Sequence, residues 1–271
     1  GSSNLIARSE TLFDDRGRVY RTIRYGVDPS DGSVGNNLTD NVWFDAPGNE
    51  IKRLPAGARL FTKTVHDSLN RPTTQYVGYD LDETSYADAG SVTGDTILQQ
   101  TETACGDASN VIQTTNRQRY HNAAATESGA LNGPGGPAPK AKVTYTAHWQ
   151  DALGREIATA NYGTNGGSAL SRPSTVPARS DTVLVTSTEY NARGEPFKTI
   201  DPLGREDRIE FDAAARRTKL IENYVDGNPA TGDPDEDRTT QWTYTPDGAQ
   251  KTLLRSALQT GRPPSTRWND L

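Results

Sequence analysis

The sequence predicts an all-β protein: a curved antiparallel sheet of repeated hairpins carrying long Gly/Pro-rich loops. Three observations point there. First, residues 185–221 hold three turn signals in a row, Asn191-Ala-Arg-Gly194, Asp201-Pro-Leu-Gly204 and Asp212-Ala-Ala-Ala215. Each begins with a side chain that accepts a hydrogen bond from the backbone two residues on, and two end in Gly, which takes a positive φ without strain. Second, apolar residues alternate with polar ones. Val143, Tyr145, Ala147 and Trp149 interleave with Lys142, Thr144, Thr146 and His148, a period of two that collects the apolar set on one face. Third, no stretch keeps the i, i+3, i+4 spacing of an amphipathic helix, so little helix is expected.

Composition fits a sheet with one solvated face. Only 32% of the 271 residues are apolar and Met is absent, and the mean hydropathy is -0.77. The 25 Gly and 16 Pro supply turns. A balance of 35 acidic to 29 basic residues, net charge -6, disfavours nucleic-acid phosphate as a partner. Cys105 is the single cysteine, which rules out an internal disulfide framework. No run of 18 apolar residues exists, so no direct membrane insertion through a helix is expected.

The turn unit recurs in order along the chain. An aromatic, then Asp or Asn, two variable residues, Gly and a polar residue appear at Phe13-Asp14 to Gly17, Phe44-Asp45 to Gly48, Tyr190-Asn191 to Gly194 and Tyr244 to Gly248. His66-Asp67 to Asn70 and Gln150-Asp151 to Gly154 keep the turn without the aromatic, and Phe211-Asp212 keeps it with Ala215 in place of Gly. Holding Ala215 left-handed costs about 1 kcal/mol. At Cys105-Gly-Asp-Ala-Ser109 the aromatic, Asp and Gly are all lost. Pro47, at the third turn position, predicts a different turn for that copy. Strand patterns precede the turns, as in Ile209 and Phe211 against Arg208 and Glu210, or Trp242 and Tyr244 against Gln241 and Thr243.

Between the repeats lie polar insertions, about residues 26–40, 78–95, 122–141, 163–181 and 225–238, read as surface loops projecting from the sheet. No composition shift marks a second domain. A chain without Met does not begin at its own initiator, so residues 1–10 read as an N-terminal edge, with Gly1-Ser2-Ser3 a cloning scar or the start of a fragment. Residues 11–253 form the repeat region, and residues 254–271 read as a loosely ordered tail.

The recurring Tyr/Phe-Asp-x-x-Gly-Arg/Asn unit, with Asp201-Pro-Leu-Gly204-Arg205 between two copies, resembles the YD repeats of the RHS (rearrangement hotspot) and teneurin-like family, and is similar to the large RHS-like proteins of environmental bacteria. The resemblance implies a long sheet spiralling into a hollow shell that encloses a C-terminal toxin or effector segment. It implies that the aromatics Phe13, Phe44, Tyr190, Phe211 and Tyr244 are structural and stack between successive turns of the sheet. It implies that the chain's main partner is the remainder of a larger RHS-type polypeptide, and it suggests secretion or surface display. The family's autoproteolytic core resembles Asp-Pro-x-Gly-Leu; here Arg205 stands in place of Leu, so no cleavage activity is carried over.

Candidate chemistry is sparse. His66, His121 and His148 lack metal-ligand spacing. The segment holding Asp226, Asn228, Asp233, Asp235 and Asp237 places oxygens at short intervals among glycines, which suits Ca²⁺, although two prolines interrupt it. Otherwise no cofactor is expected. Trp149 and Trp242, with Trp43, Tyr76 and Tyr79, would form a stacking platform for sugars if exposed, or pack between strands if not. The main expectation is a non-enzymatic wall segment; the alternative is a cell-surface module binding a glycan or a surface protein.

Overall fold

The computed structural model describes residues 8–27, 34–55, 58–79, 85–124, 126–230, 232–256 and 266–267. The strands are β1 Arg8–Phe13, β2 Val19–Val27, β3 Val34–Phe44, β4 Glu50–Pro55, β5 Phe61–His66, β6 Pro72–Tyr79, β7 Thr96–Cys105, β8 Val111–Arg119 and β9 Ala141–Gln150. They continue with β10 Glu156–Gly163, β11 Leu184–Tyr190, β12 Pro196–Ile200, β13 Glu206–Phe211, β14 Arg217–Glu222, β15 Arg238–Tyr244, β16 Gln250–Ser256 and β17 Thr266–Arg267. One four-residue helix, α1 Tyr86–Ala89, and a short 3-10 turn at Asn165–Gly167 are the helical elements among the described residues. The chain is all-β and antiparallel.

Two compact units divide it. Gly1–Tyr145 with Gly163–Leu170 forms one; Thr146–Tyr162 with Ser171–Leu271 forms the other. The division falls inside β9, with no linker, so composition carries no trace of it.

Within each unit strands adjacent in the chain pair antiparallel: β1 to β8 in the first and β10 to β17 in the second. Connections in such a meander alternate between the two ends of the strands. In the first unit the turns starting at Asp14, Asp45, Asp67 and Gly106 therefore share one end, and the longer connections share the other. In the second unit the turns at Asp151, Asn191, Asp212 and Thr245 share an end, and Asp201 lies opposite with the insertions.

Alternation sets burial. Along β9 the residues Ala141, Val143, Tyr145, Ala147 and Trp149 are all buried, while their neighbours are not. Gly78 is needed where β6 bulges against β7: a Cβ there would stand 2.6 Å from the Thr96 carbonyl oxygen.

Two insertions depart from the sequence expectation. Rather than projecting, residues 85–95 and 126–141 fold back. Leu131, 2% exposed, joins Phe61, Ile97 and Ala141 in the core of the first unit, with Leu54, Tyr76 and Val92 packed around them. The Gly129 N–H donates to the Asp95 carbonyl at 2.8 Å and the Leu131 N–H to Gln100 Oε1 at 2.8 Å, so the two insertions hold each other and the sheet. Their polar composition hides this, because one Leu and one Ala suffice to anchor each.

The first insertion is also shorter than expected. β2 and β3 pair as far as Val27 with Val34, which places 34–40 in the strand. Pairing overrides the weak strand propensity of Gly-Asn-Asn. At the C-terminal end, Leu254–Ser256 belong to β16 and Leu254 pairs with Thr266, so these residues of the expected tail are ordered as strand.

Candidate functional site

The candidate site is the repeated turn itself. Its backbone closure is the same in nine hairpins among the described residues: the first residue's N–H donates to the carbonyl four residues on, and the fourth residue's N–H returns to the first carbonyl. The fourth residue is left-handed each time, as Gly17, Gly48, Asn70, Ser109, Gly154, Gly194, Gly204, Ala215 or Gly248. Two departures from the motif keep the geometry. Ser109, at φ 62°, closes the copy that lost all three signature residues, and Ala215 sits at φ 60°. The strand register slips by one at the aromatic position, between Leu12 and Phe13, Trp43 and Phe44, Glu189 and Tyr190, Glu210 and Phe211, and Thr243 and Tyr244. This is a type I turn with a bulge.

The Asp carboxylate is the hub. At Asp67, Oδ1 accepts from the N–H groups of Leu69 and Arg71 at 2.9 and 3.0 Å, and Oδ2 accepts from Arg71 Nε at 2.7 Å. The same set recurs at Asp14 with Arg18, Asp151 with Arg155, Asp201 with Arg205 and Asp212 with Arg216. Asn191 uses its amide, taking the N–H groups of Arg193 and Glu195. Pro47 has no N–H to give, yet the Asp45 turn closes like the others, because Asp45 Oδ1 takes the N–H of Gly48 at 2.9 Å instead. That corrects the expectation of a different turn. The clamping Arg four residues after the Asp was visible in the sequence as a spacing, but a turn signal alone assigns it no role.

In two copies that Arg also lies on the ring at the next turn. Arg155 lies over the Tyr190 ring at 4.4 Å and Arg216 over the Tyr244 ring at 4.5 Å. Each tyrosine hydroxyl donates to the carbonyl just after that Arg, Tyr190 to Glu156 at 2.9 Å and Tyr244 to Arg217 at 2.7 Å. At these two tyrosines the partner on the ring is a guanidinium rather than the second ring implied by the family resemblance. Among the described residues the ring pairs involve Tyr20, Trp43 and Tyr86 instead, and Phe13 is 58% exposed.

Charge makes these clamps pH-sensitive. The Arg71 N–H, then its guanidinium, hold the Asp67 carboxyl below the usual carboxylate range; the guanidinium of Arg155 does the same to Asp151, and that of Arg216 to Asp212. A folded pKa below the unfolded one contributes stability above the unfolded carboxyl pKa, about 4, and loses it as pH falls through the folded value. The melting temperature is therefore expected to drop as pH falls below about 4. A triple Asp67→Asn, Asp151→Asn, Asp212→Asn variant, which keeps the Oδ1 acceptor, should show a flatter profile in thermal denaturation from pH 3 to 7. An unchanged slope would contradict the clamps.

Of the candidate stacking aromatics, Trp43 and Trp149 are buried. Trp149 is 4% exposed, its Nε1 donates to the Pro173 carbonyl at 3.3 Å, and Arg172 lies over its ring at 4.9 Å. The insertion that looked like a free loop supplies both covers. Trp43 is buried under Arg21, Trp242 is half-buried with Arg217 near its face, Tyr76 packs against the core, and Tyr79 is 38% exposed.

The acidic segment serves its own backbone. Asp237, buried, receives the N–H groups of Val225 at 2.9 Å, Asp226 at 3.2 Å and Gly227 at 2.9 Å. Burial pushes its carboxyl up, and these donors more than offset that and hold it below its ordinary value. Asp226 Oδ1 takes the Asn228 N–H, Asn228 Oδ1 takes the Ala230 N–H, and the carbonyl of Asp235 accepts from Asn223. Asp233 gives its N–H to Glu236. Among the described residues no three His, Cys, Asp or Glu side chains converge to hold a metal ion. Of the histidines, His148 pairs through Nδ1 with Glu156 at 2.6 Å. Cys105, half-buried, sits at the aromatic position of its turn.

A buried ion pair had no sequence signal. Lys63 Nζ lies 2.7 Å from Asp95 Oδ2, with exposures of 3% and 2%, and it also donates to the carbonyls of Asp88, at 2.8 Å, and Ser91. It ties the helix-bearing insertion to β5.

No family model matches the chain, and no curated protein matches it. Among solved structures it is similar to the Tc holotoxin pore of Photorhabdus luminescens, at 10% identity and a TM-score of 0.39 over 94% of this chain. It is also similar to the TcdB2-TccC3-TEV crystal structure, at 11% identity and 0.39 over 94%, and to TcdB2-TccC3-Cdc42, at 13% and 0.36 over 90%. The chain spans 12% to 13% of the length of these structures.

Proposed function

We propose that the chain is a mechanical element, a non-enzymatic wall segment of a larger RHS-type polypeptide, and that its hairpin array forms part of a β-shell around an effector or toxin segment. The observation that carries this reading is the single turn device repeated in nine hairpins among the described residues, with five Asp–Arg pairs closing their own turns and Arg155 and Arg216 also lying on the ring of the next one. Groups so engaged hold structure rather than substrate. The motif's resemblance to YD repeats supplies the shell and the secreted or surface setting. The reading assigns no cofactor and no catalytic residue.

A segment cut from such a wall presents strand edges with unpaired N–H and C=O groups. Sedimentation velocity on the isolated chain should show association that grows with concentration. A sharp monomer at high concentration, or turnover on a broad chromogenic substrate panel, would count against the proposal.

A further inference from the structure

In the second unit a guanidinium fills the gap between neighbouring turns, Arg155 over Tyr190 and Arg216 over Tyr244. The corresponding gap in the first unit, between the Asp14 and Asp45 turns, is built differently. Arg18 holds Asp14 as the other clamping arginines hold theirs, its Nε and Nη2 at 2.8 and 2.7 Å from Oδ2, but among the described residues no cation lies over the Phe44 ring. A half-open cavity of about 360 Å³ occupies the place, lined by Tyr20, Phe44 and Tyr86 together with Asp14, Arg18 and Asp45.

Its chemistry selects a particular ligand. Tyr20 and Tyr86 meet edge to face at 86° with centroids 6.2 Å apart, so two walls stand perpendicular, and Phe44 adds a third ring. Arg18 neutralises Asp14. Asp45 is bonded only by neutral donors, the N–H groups of Gly48 and Asn49 and the Asn49 amide, and no cation pairs with it among the described residues. The cavity therefore carries one net negative charge among three aromatic rings. Rings attract cations through their quadrupole, and a weakly hydrated organic cation sheds its water most cheaply; aromatic cages of this composition suit quaternary ammonium groups. An alkali ion would need oxygen ligands, which rings do not supply.

We propose that this cavity binds a trimethylammonium group of the choline type. Saturation-transfer NMR on the whole chain should show choline binding, with its neutral isostere 3,3-dimethylbutanol bound roughly 10-fold more weakly or not at all. Tyr86→Ala and Asp45→Asn should each weaken choline roughly 5-fold, and Tyr86→Phe should retain it. Tyr86 is 44% exposed, and Asp45→Asn keeps the Oδ1 acceptor for the Gly48 and Asn49 N–H groups and gives up only the bond from the Asn49 amide, so folding cooperativity should be retained and the melting temperature should fall by no more than a few degrees. Retention on phosphatidylcholine vesicles that free choline displaces would assign the lipid headgroup as the source, and choline binding without retention the free cation. Equal binding of the neutral isostere, no loss in Tyr86→Ala, or tighter binding of arginine amide than of choline would overturn the proposal.

Discussion

Replacing Asp95 by Ala is expected to cost about 3–5 kcal/mol of folding stability, because it leaves the Lys63 ammonium in a buried site without its carboxylate. For a chain of this length, that lowers the melting temperature by roughly 10 °C. The two charges are 3% and 2% exposed and 2.7 Å apart, so water can screen neither once its partner is gone. The carbonyls of Asp88 and Ser91 remain as acceptors for Lys63 but carry no compensating charge. Lys63→Met should cost a similar amount. The double variant Lys63→Met, Asp95→Leu should be less destabilised than either single one, since removing both charges removes the desolvation penalty as well. Thermal denaturation checks all three. A change within about 0.5 kcal/mol for Asp95→Ala, the level of an ordinary surface substitution, would contradict the buried pair.

Leu131→Ala is expected to cost about 2–5 kcal/mol, the range for deleting a buried aliphatic side chain and leaving a cavity. The size of the effect is the point, since Leu131 lies in a stretch whose flanks are Gly, Pro, Ser and Asn. A projecting loop would tolerate the change. Here Leu131 fills the core beside Phe61 and Ile97, and its own N–H is held by Gln100. Urea denaturation should show the midpoint falling with an unchanged slope. A shift too small to measure would return residues 126–141 to the status of a loop outside the core.

Local signals made the sheet legible. Asp, two residues and Gly specify a turn through bonds that span four residues, so every such turn could be placed from the sequence, and the alternation along β9 gave its buried face. Pro47 misled because the bias against Pro at that position is a steric preference of the residue before it, and the turn still closes with Asp45 Oδ1 taking the Gly48 N–H. Contacts distant in sequence left no trace. Lys63 and Asp95 are 32 residues apart, and nothing about a lysine in a strand announces a carboxylate in a loop. The insertions were misread for a related reason: composition averages over a segment, whereas single residues anchor each, Ala89 and Asp95 in one, Leu131 in the second and Pro173 in the third. Trp149 looked available for a ligand only because its cover, Arg172 and Pro173, lies in such an insertion.

The central claim is that the chain is a mechanical array in which each hairpin is held by its neighbours. In such an array stability is a sum of nearest-neighbour terms and unfolding proceeds in pieces. The most direct measurement is to pull the chain by its two ends in an optical trap. Repeats run from the 21 residues between Tyr190 and Phe211 to the 45 between Cys105 and Gln150, so stepwise lengthening of roughly 70–160 Å per event is expected at about 3.5 Å per residue. A single rip that releases the whole sheet at once would contradict it.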